Sequence, residues 1–291
     1  MAATDWDGAT FEAHRPLLFS IAYRMLGSAS EAEDVVQDVW LRARQDEHAD
    51  VRSPRAYLTT IVTRLCIDHL RSAERTRMVY PGPWLPEPLA EPNQESAELA
   101  SSLTTAFLVL LEQLSPTERA VYLLREVFEL DFDEIATSVG KSEANTRQIL
   151  KRARGRLRES HPRFTVSRRE SEEIVQQFRQ ACVTGNVEQL MSLLHADATL
   201  VADGGGKVPA AAQPVLGADR IAHFVVDVVG KMRWSESEPQ LVTINGAPGL
   251  LLRHPVFGDG TYSFDIGDGR IRAIYVVRNP DKLRGFLEHT H

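Results

Sequence analysis

From residues 11 to 72 apolar positions recur with helical spacing almost without interruption. Within this stretch, residues 30–44 open with Ser30 and Glu33, a capping-box pair. The segment carries an apolar stripe of Ala32, Val35, Val36, Val39, Trp40 and Ala43. The opposite stripe holds Asp34, Gln37, Asp38 and Leu41. Like charges one turn apart disfavour an isolated helix, so this stripe is either a plain solvated face or a match for a basic partner. A second helix follows Pro54, a residue tolerated at a helix start. Its inward stripe is Leu58, Ile61, Val62, Leu65, Cys66 and His69, and its other side shows Thr60, Arg64, Ile67, Asp68 and Arg71. His69 reads as a packing residue, since no second ligand type stands at metal-binding spacing.

The periodicity stops at residues 73–101, where Pro81, Pro83, Pro86, Pro88 and Pro92 rule out continuous helix and predict an extended linker. Trp84 and Leu85 in its middle are expected to dock on a flanking domain or a partner. Residues 114–159 then hold two short amphipathic helices hinged at Gly140, where the tight turn of a helix-turn-helix needs a residue without Cβ. Ile135, Ala136 and Val139 face inward from the first, while Ile149 and Leu150 do so from the second, which Ser142 can cap. Around the second helix run Lys141, Arg147, Lys151, Arg152, Arg154, Arg156 and Arg158 against the single acid Glu143. A solvated basic helix would look the same, but a hinged helix pair that ends in cations suits a phosphate backbone.

Beyond Pro162 the character changes. A helix over residues 167–184 carries Ile174, Phe178 and Ala181 and stops at Gly185-Asn186. A short helix (187–194), a strand (198–202), the string DGGGK (203–207) and a third helix (219–232) follow. Strands are predicted at 240–245, 249–253, 260–266 and 270–278, with hairpin turns at Asn245-Gly246 and Asp268-Gly269. Helices first and antiparallel hairpins afterwards predict an α+β domain with a curved sheet wrapped on helices.

The net charge of −7 is unexpected for a uniform DNA-binding body and makes sense if the basic surface is local. No apolar run reaches membrane-spanning length, the first residues lack signal-peptide character, and Cys66 and Cys182 fit a reduced cytoplasmic protein.

These residues resemble a bacterial RNA polymerase sigma factor of the extracytoplasmic-function (ECF) class. Residues 11–72 resemble region 2, most recognisably in EAEDVVQDVWLRA, and residues 114–159 resemble region 4. The resemblance implies that Asp34, Gln37, Asp38 and Leu41 dock on the clamp helices of the polymerase β′ subunit, with the β flap as a second contact. It implies that the helix bearing Thr60, Arg64, Asp68 and Arg71, with the loop 46–52 before it, reads and opens the −10 element. The helix with Ser142, Glu143, Arg147, Gln148, Lys151 and Arg152 reads the −35 element, through an Arg-Gln-Ile string common in region 4. Arg suits guanine and Gln adenine, each for about 1–3 kcal/mol of discrimination; Glu143 could accept from cytosine or simply favour the helix dipole.

The last third resembles the SnoaL-like domain, a cone-shaped α+β barrel fused to one subgroup of these sigma factors, with DGGGK and NPDKL as shared strings. The expected organisation is region 2 at 1–72, the linker at 73–101, region 4 at 102–161 and the SnoaL-like domain at 167–291. The resemblance implies that the tail folds back on the sigma core and adjusts its activity. Asp203, Gly204, Gly205, Gly206 and Lys207, with Asn279, Pro280, Asp281, Lys282 and Leu283, are then regulatory contacts. Read alone, the two strings could equally be a surface loop and an ordinary N-cap. GGGK is not a phosphate loop, lacking the upstream glycine and the following Ser or Thr. The competing reading makes the barrel an enzyme or small-molecule binder, with Asp203, Trp234, His254, Tyr262, Asp265 and Tyr275 at its mouth and Asp203 with His254 as an acid–base pair. The expectation is a non-catalytic factor, with no cofactor or metal, whose partners are polymerase core and promoter DNA, and with room for a ligand in the barrel.

Overall fold

A computed structural model describes residues 8–45, 53–77, 79–90, 103–160, 167–232 and 239–290. The chain forms two compact units: residues 1–78 with 110–162, and residues 79–109 with 163–291. The described linker residues 79–90 and residues 103–109 therefore pack with the C-terminal domain.

The first unit is helical: α1 (Gly8–Leu26), α2 (Ala29–Gln45), α3 (Pro54–Arg77), the end of α4 (Thr105–Leu111), α5 (Pro116–Glu126), α6 (Phe132–Val139) and α7 (Glu143–Ser160). α2 starts one residue earlier than its sequence suggests. Ser28, not Ser30, is the cap, and its Oγ accepts from the Glu31 amide at 3.2 Å. The α2 stripe of Ala32, Val35, Val36, Val39 and Ala43 is buried as expected, and Trp40 packs its ring 4.9 Å from that of Phe11. α3 is buried on more of its circumference than one stripe: Thr59, Thr63, Ile67 and Leu70 are enclosed as well as Leu58, Val62, Leu65 and Cys66. The reason is that α3 lies against α1 and α2 on one side and α5 and α6 on the other. Arg119 of α5, with a side chain 4% exposed, donates to the Met25 carbonyl at 2.7 Å and to Glu112 at 2.8 Å. Arg24 of α1 lies over the Phe128 ring at 5.4 Å. Regions 2 and 4 thus form one packed body.

The second unit is an α+β domain with a six-stranded sheet, β1 (Leu194–Asp203), β2 (Val215–Leu216), β3 (Gln240–Ile244), β4 (Ala247–Leu252), β5 (Gly260–Gly267) and β6 (Arg270–Val277). Its strand order is β2-β1-β6-β5-β4-β3. Asn245-Gly246 and Asp268-Gly269 both have positive φ, the signature of the predicted hairpin turns. The sequence does not show β2, and β1 is twice the expected length. Not every pairing is antiparallel either: β1 runs parallel to β6, with Asp203 opposite Val277. Side chains alternate across a strand, and here the alternation separates two cores. One face, with Leu200, Ala202, Tyr262, Ile274 and Val276, packs on α8 (Arg168–Thr184), α9 (Val187–Leu193) and α10 (Ala218–Met232). The other, with Ala273, Tyr275 and Val277, packs on linker residue Leu85 and on Leu283 of α11 (Pro280–Glu288).

Candidate polymerase, promoter and linker-binding surfaces

Asp34, Gln37, Asp38 and Leu41 lie on one exposed face of α2, with Leu41 47% exposed. Neither aspartate pairs with a cation among the described residues, whereas neighbouring Glu33 is held by Arg15 at 2.5 Å. An unpaired acidic stripe beside an exposed leucine is what a basic partner surface with an apolar notch would need.

The four polar residues of α3 divide. Asp68 and Arg71 are exposed and form a loose pair at 3.5 Å. Thr60 and Arg64 face α6: the Thr60 hydroxyl is 3.1 Å from Ser138 Oγ, and Arg64 donates to the carbonyls of Thr137 at 2.8 Å and Ser138 at 3.2 Å. The loop 46–52 lies outside the described residues.

In the helix-turn-helix, Gly140 adopts φ 64° and closes α6, and the Lys141 amide donates to the Ala136 carbonyl at 3.0 Å. Ser142 Oγ accepts from the Asn145 amide at 3.3 Å, which starts α7. Glu143, Arg147, Gln148, Lys151 and Arg152 project to solvent while Ile149, Leu150, Ala153 and Leu157 are buried. The cation run is not a uniform phosphate surface. Arg154 binds Glu126 and Arg156 binds Glu118, both at 2.6 Å, and these pairs fasten α7 onto α5. Arg152 reaches Glu118 only at 4.0 Å. Arg147 pairs with Glu143 at 3.0 Å and stacks 4.4 Å from the Phe132 ring, so its guanidinium is held in place by its own helix and by α6.

The parallel β1–β6 pairing brings the ends of both strands to one edge, so DGGGK and NPDKL emerge side by side. The Asp203 carbonyl accepts from the amides of Arg278 at 2.8 Å and Asn279 at 3.0 Å. The Asp203 carboxylate is fully buried and points at the linker. Its Oδ1 accepts from the Tyr80 hydroxyl at 2.7 Å and the Gly205 amide at 2.9 Å. Its Oδ2 accepts from the Leu85 amide at 2.9 Å and Lys282 Nζ at 2.7 Å. Lys282 also donates to the Leu85 carbonyl and sits 4.2 Å from the Trp84 ring. Asn279 caps α11 and donates to the Tyr80 hydroxyl at 3.0 Å. Burial, followed by the bond to Asp203, pushes the Tyr80 phenol above its ordinary pKa.

Two glycines are required by proximity as well as by positive φ. A Cβ on Gly205 would stand 2.3 Å from Asn279 Nδ2, and one on Gly206 would stand 2.6 Å from Cγ of linker residue Pro81. Lys207 and Asp281 bind each other at 2.5 Å on the surface, and Pro280 is exposed at the first turn of α11. Leu283 is buried against Leu85. Two contacts escape sequence reasoning. Tyr80 carries no signal beyond an aromatic in a proline-rich stretch, and Asn245 reads only as a turn residue. Asn245 nonetheless exchanges two bonds with Leu89, accepting from its amide at 2.8 Å and donating to its carbonyl at 2.9 Å.

The acid–base pair imagined for the barrel is not assembled. Asp203 faces the linker, whereas His254 Nδ1 accepts from the amides of Val256 and Phe257 in its own turn. Tyr275 also faces the linker core, and Trp234 lies outside the described residues. Among the described residues no cluster of His, Cys, Asp and Glu could hold a metal, and no helix is long and apolar enough to cross a membrane.

Sigma-70 region 2 matches residues 10–76 and Sigma-70, region 4 matches residues 104–157. A bundle with an acidic helix face, a helix-turn-helix and a fused α+β domain define a promoter-recognition subunit, and relatives along the whole chain specify the class. The chain is 34% identical to the ECF RNA polymerase sigma factor SigJ of Mycobacterium tuberculosis, over 94% of this chain and 92% of the relative. It is 30% identical to the probable ECF sigma factor SigI of that organism, over 97% of each. The crystal structure of M. tuberculosis SigJ superposes with a TM-score of 0.79 at 32% identity, covering 96% of this chain and 99% of the other. The chain belongs to the ECF RNA polymerase sigma factors, which direct polymerase core to promoters, and carries a fused SnoaL-like domain.

Proposed function

We propose that the C-terminal domain is a non-catalytic regulator that sets the freedom of the linker between the two promoter-reading regions. The observation that carries this reading is the Asp203 carboxylate, whose four hydrogen bonds include two to linker residues Tyr80 and Leu85. A carboxylate so engaged has no capacity left for proton transfer to a substrate, which favours regulation over chemistry. In this reading α2 meets the β′ clamp helices through Asp34, Gln37, Asp38 and Leu41, and region 4 meets the β flap. α3 reads the −10 element through Thr60, Arg64, Asp68 and Arg71, and α7 reads the −35 element from Ser142 to Arg152, all in the cytoplasm with the polymerase. The bonds of Thr60 and Arg64 to α6 support a further step: region 4 must leave α3 before these two side chains can meet DNA.

Reconstituted transcription with polymerase core tests this reading. The Asp203→Asn variant should change initiation from a cognate promoter while core binding stays measurable. Transcription equal to wild type, together with turnover of a small molecule by the full chain, would replace regulation with enzymology.

A further inference from the structure

The inner face of the C-terminal sheet does not close fully on α8 and α10. A cavity of about 340 Å³ remains, within the roughly 300–1,000 Å³ typical of small-molecule sites. Its wall is apolar, with Phe178, Leu200, Phe224, Val228, Met232 and Ile274. Polar atoms come from few places: the exposed Lys231, the buried Tyr262 phenol and Arg278. Burial pushes the Tyr262 phenol above its ordinary pKa, so it stays neutral.

Arg278 is the unusual member. Its terminal nitrogens donate to the carbonyls of Pro209 at 2.6 Å and of Phe257, and its buried Nε has no acceptor among the described residues. The ion pairs of this domain engage Arg168, Arg169, Lys207, Arg272 and Lys282 and leave Arg278 without a carboxylate among the described residues. A guanidinium held in place at an apolar cavity, with a buried N–H unmatched and no counter-charge, is a recognition element for an anion. We propose that the cavity binds a small amphiphile with an apolar body and one carboxylate, and that the carboxylate meets Arg278.

Strand alternation places this site back to back with the linker contacts. Ala202 and Val276 line the cavity, and the next residues, Asp203 and Val277, face the linker. The amides of Arg278 and Asn279 both donate to the Asp203 carbonyl. A ligand that draws on Arg278 therefore acts one residue away from the cluster that holds the linker. This coupling rests on the linker reading above, whereas the binding site does not.

The test uses the full chain with 1-anilinonaphthalene-8-sulfonate as probe and decanoate and 1-decanol as competitors. The expected result is one saturable site, from which decanoate displaces the probe at roughly tenfold lower concentration than 1-decanol, the gain from a charge-assisted bond. Val228→Trp should fill the cavity and abolish binding, and Arg278→Gln should erase the advantage of decanoate while 1-decanol still competes. Should Val228→Trp fail to fold, the Arg278→Gln comparison decides. Probe binding that does not saturate, or equal competition by the two compounds in wild type, overturns the site. Hydrogen exchange at Leu85 should slow with decanoate bound; unchanged exchange overturns the coupling and leaves the site standing.

Discussion

Lys282→Met removes the ammonium from the linker cluster and leaves the rest of the side chain's volume in place. Lys282 is 8% exposed and Asp203 fully buried, so the variant strands a carboxylate without its counter-ion. Breaking a buried pair costs about 3–5 kcal/mol. Asp203 retains the Tyr80 hydroxyl and the Gly205 and Leu85 amides, which places the cost near the low end, about 3 kcal/mol. At about 1.4 kcal/mol per decade, that raises the open fraction of the linker roughly a hundredfold. Asp203→Asn should cost less, about 2 kcal/mol, because the stranded ammonium keeps the Trp84 face at 4.2 Å. Hydrogen exchange at the Leu85 amide, which donates to Asp203, reads the opening directly. In the double variant both charges are gone, so its cost should fall short of the sum of the singles by about 1 kcal/mol or more. Additivity within about 0.5 kcal/mol would refute the reasoning, because it would mean that the pair does not hold the linker as one unit.

Reversing the α2 stripe (Asp34→Lys with Asp38→Lys) should weaken association with polymerase core, and added salt should then relieve the new repulsion at this face instead of screening an attraction. Unchanged affinity in a core-binding titration, with helicity intact, would remove this face from the interface. Arg147→Ala should lose about 1–3 kcal/mol of preference at one base position, while Lys151→Ala weakens binding to all sequences alike; equal behaviour across a promoter panel would make Arg147 a phosphate contact. Tyr80 is neutral below its ordinary value of about 10 whether docked or free, so linker docking should not depend on pH there. Above it, free Tyr80 ionises while docked Tyr80 holds its proton, so docking should weaken as pH rises; a Tyr80→Phe variant that follows the same Trp84 fluorescence profile would contradict this.

The helix faces were legible because their period is local. Spacing alone sorted Asp34, Gln37, Asp38 and Leu41 from Val35, Val36 and Val39, and Gly140 marked its turn because only a left-handed residue closes a helix that tightly. Hairpin turns at Asn245-Gly246 and Asp268-Gly269 were legible for the same reason. What spacing could not supply was pairing between distant segments. Nothing in residues 194–203 says that they lie parallel to residues 270–277, yet that register sets Asp203 beside Asn279. Ile67 looked outward because a stripe pattern knows one partner, and α3 has two. The cations of α7 looked equivalent because Glu118 and Glu126, which occupy Arg156 and Arg154, sit a helix away.

The acceptors that Arg64 uses bear on how the proposed regulation could work. Thr137 and Ser138 belong to the last turn of α6, where the carbonyls carry the negative end of the dipole, and that of Thr137 also accepts from the Gly140 amide at 3.4 Å. Those oxygens offer a guanidinium much of what a phosphate offers, so the closed first unit keeps Arg64 satisfied without nucleic acid. Such bonds contribute only about 0.5–1.5 kcal/mol each net of water, so DNA can replace them at little cost, whereas the packing of α3 on α5 and α6 must be given up as well. A linker restraint of about 3 kcal/mol is of the same order as the three bonds of Thr60 and Arg64 to α6 together. In the proposed reading, control of the linker by the C-terminal domain biases the release of α3 by a shift in populations.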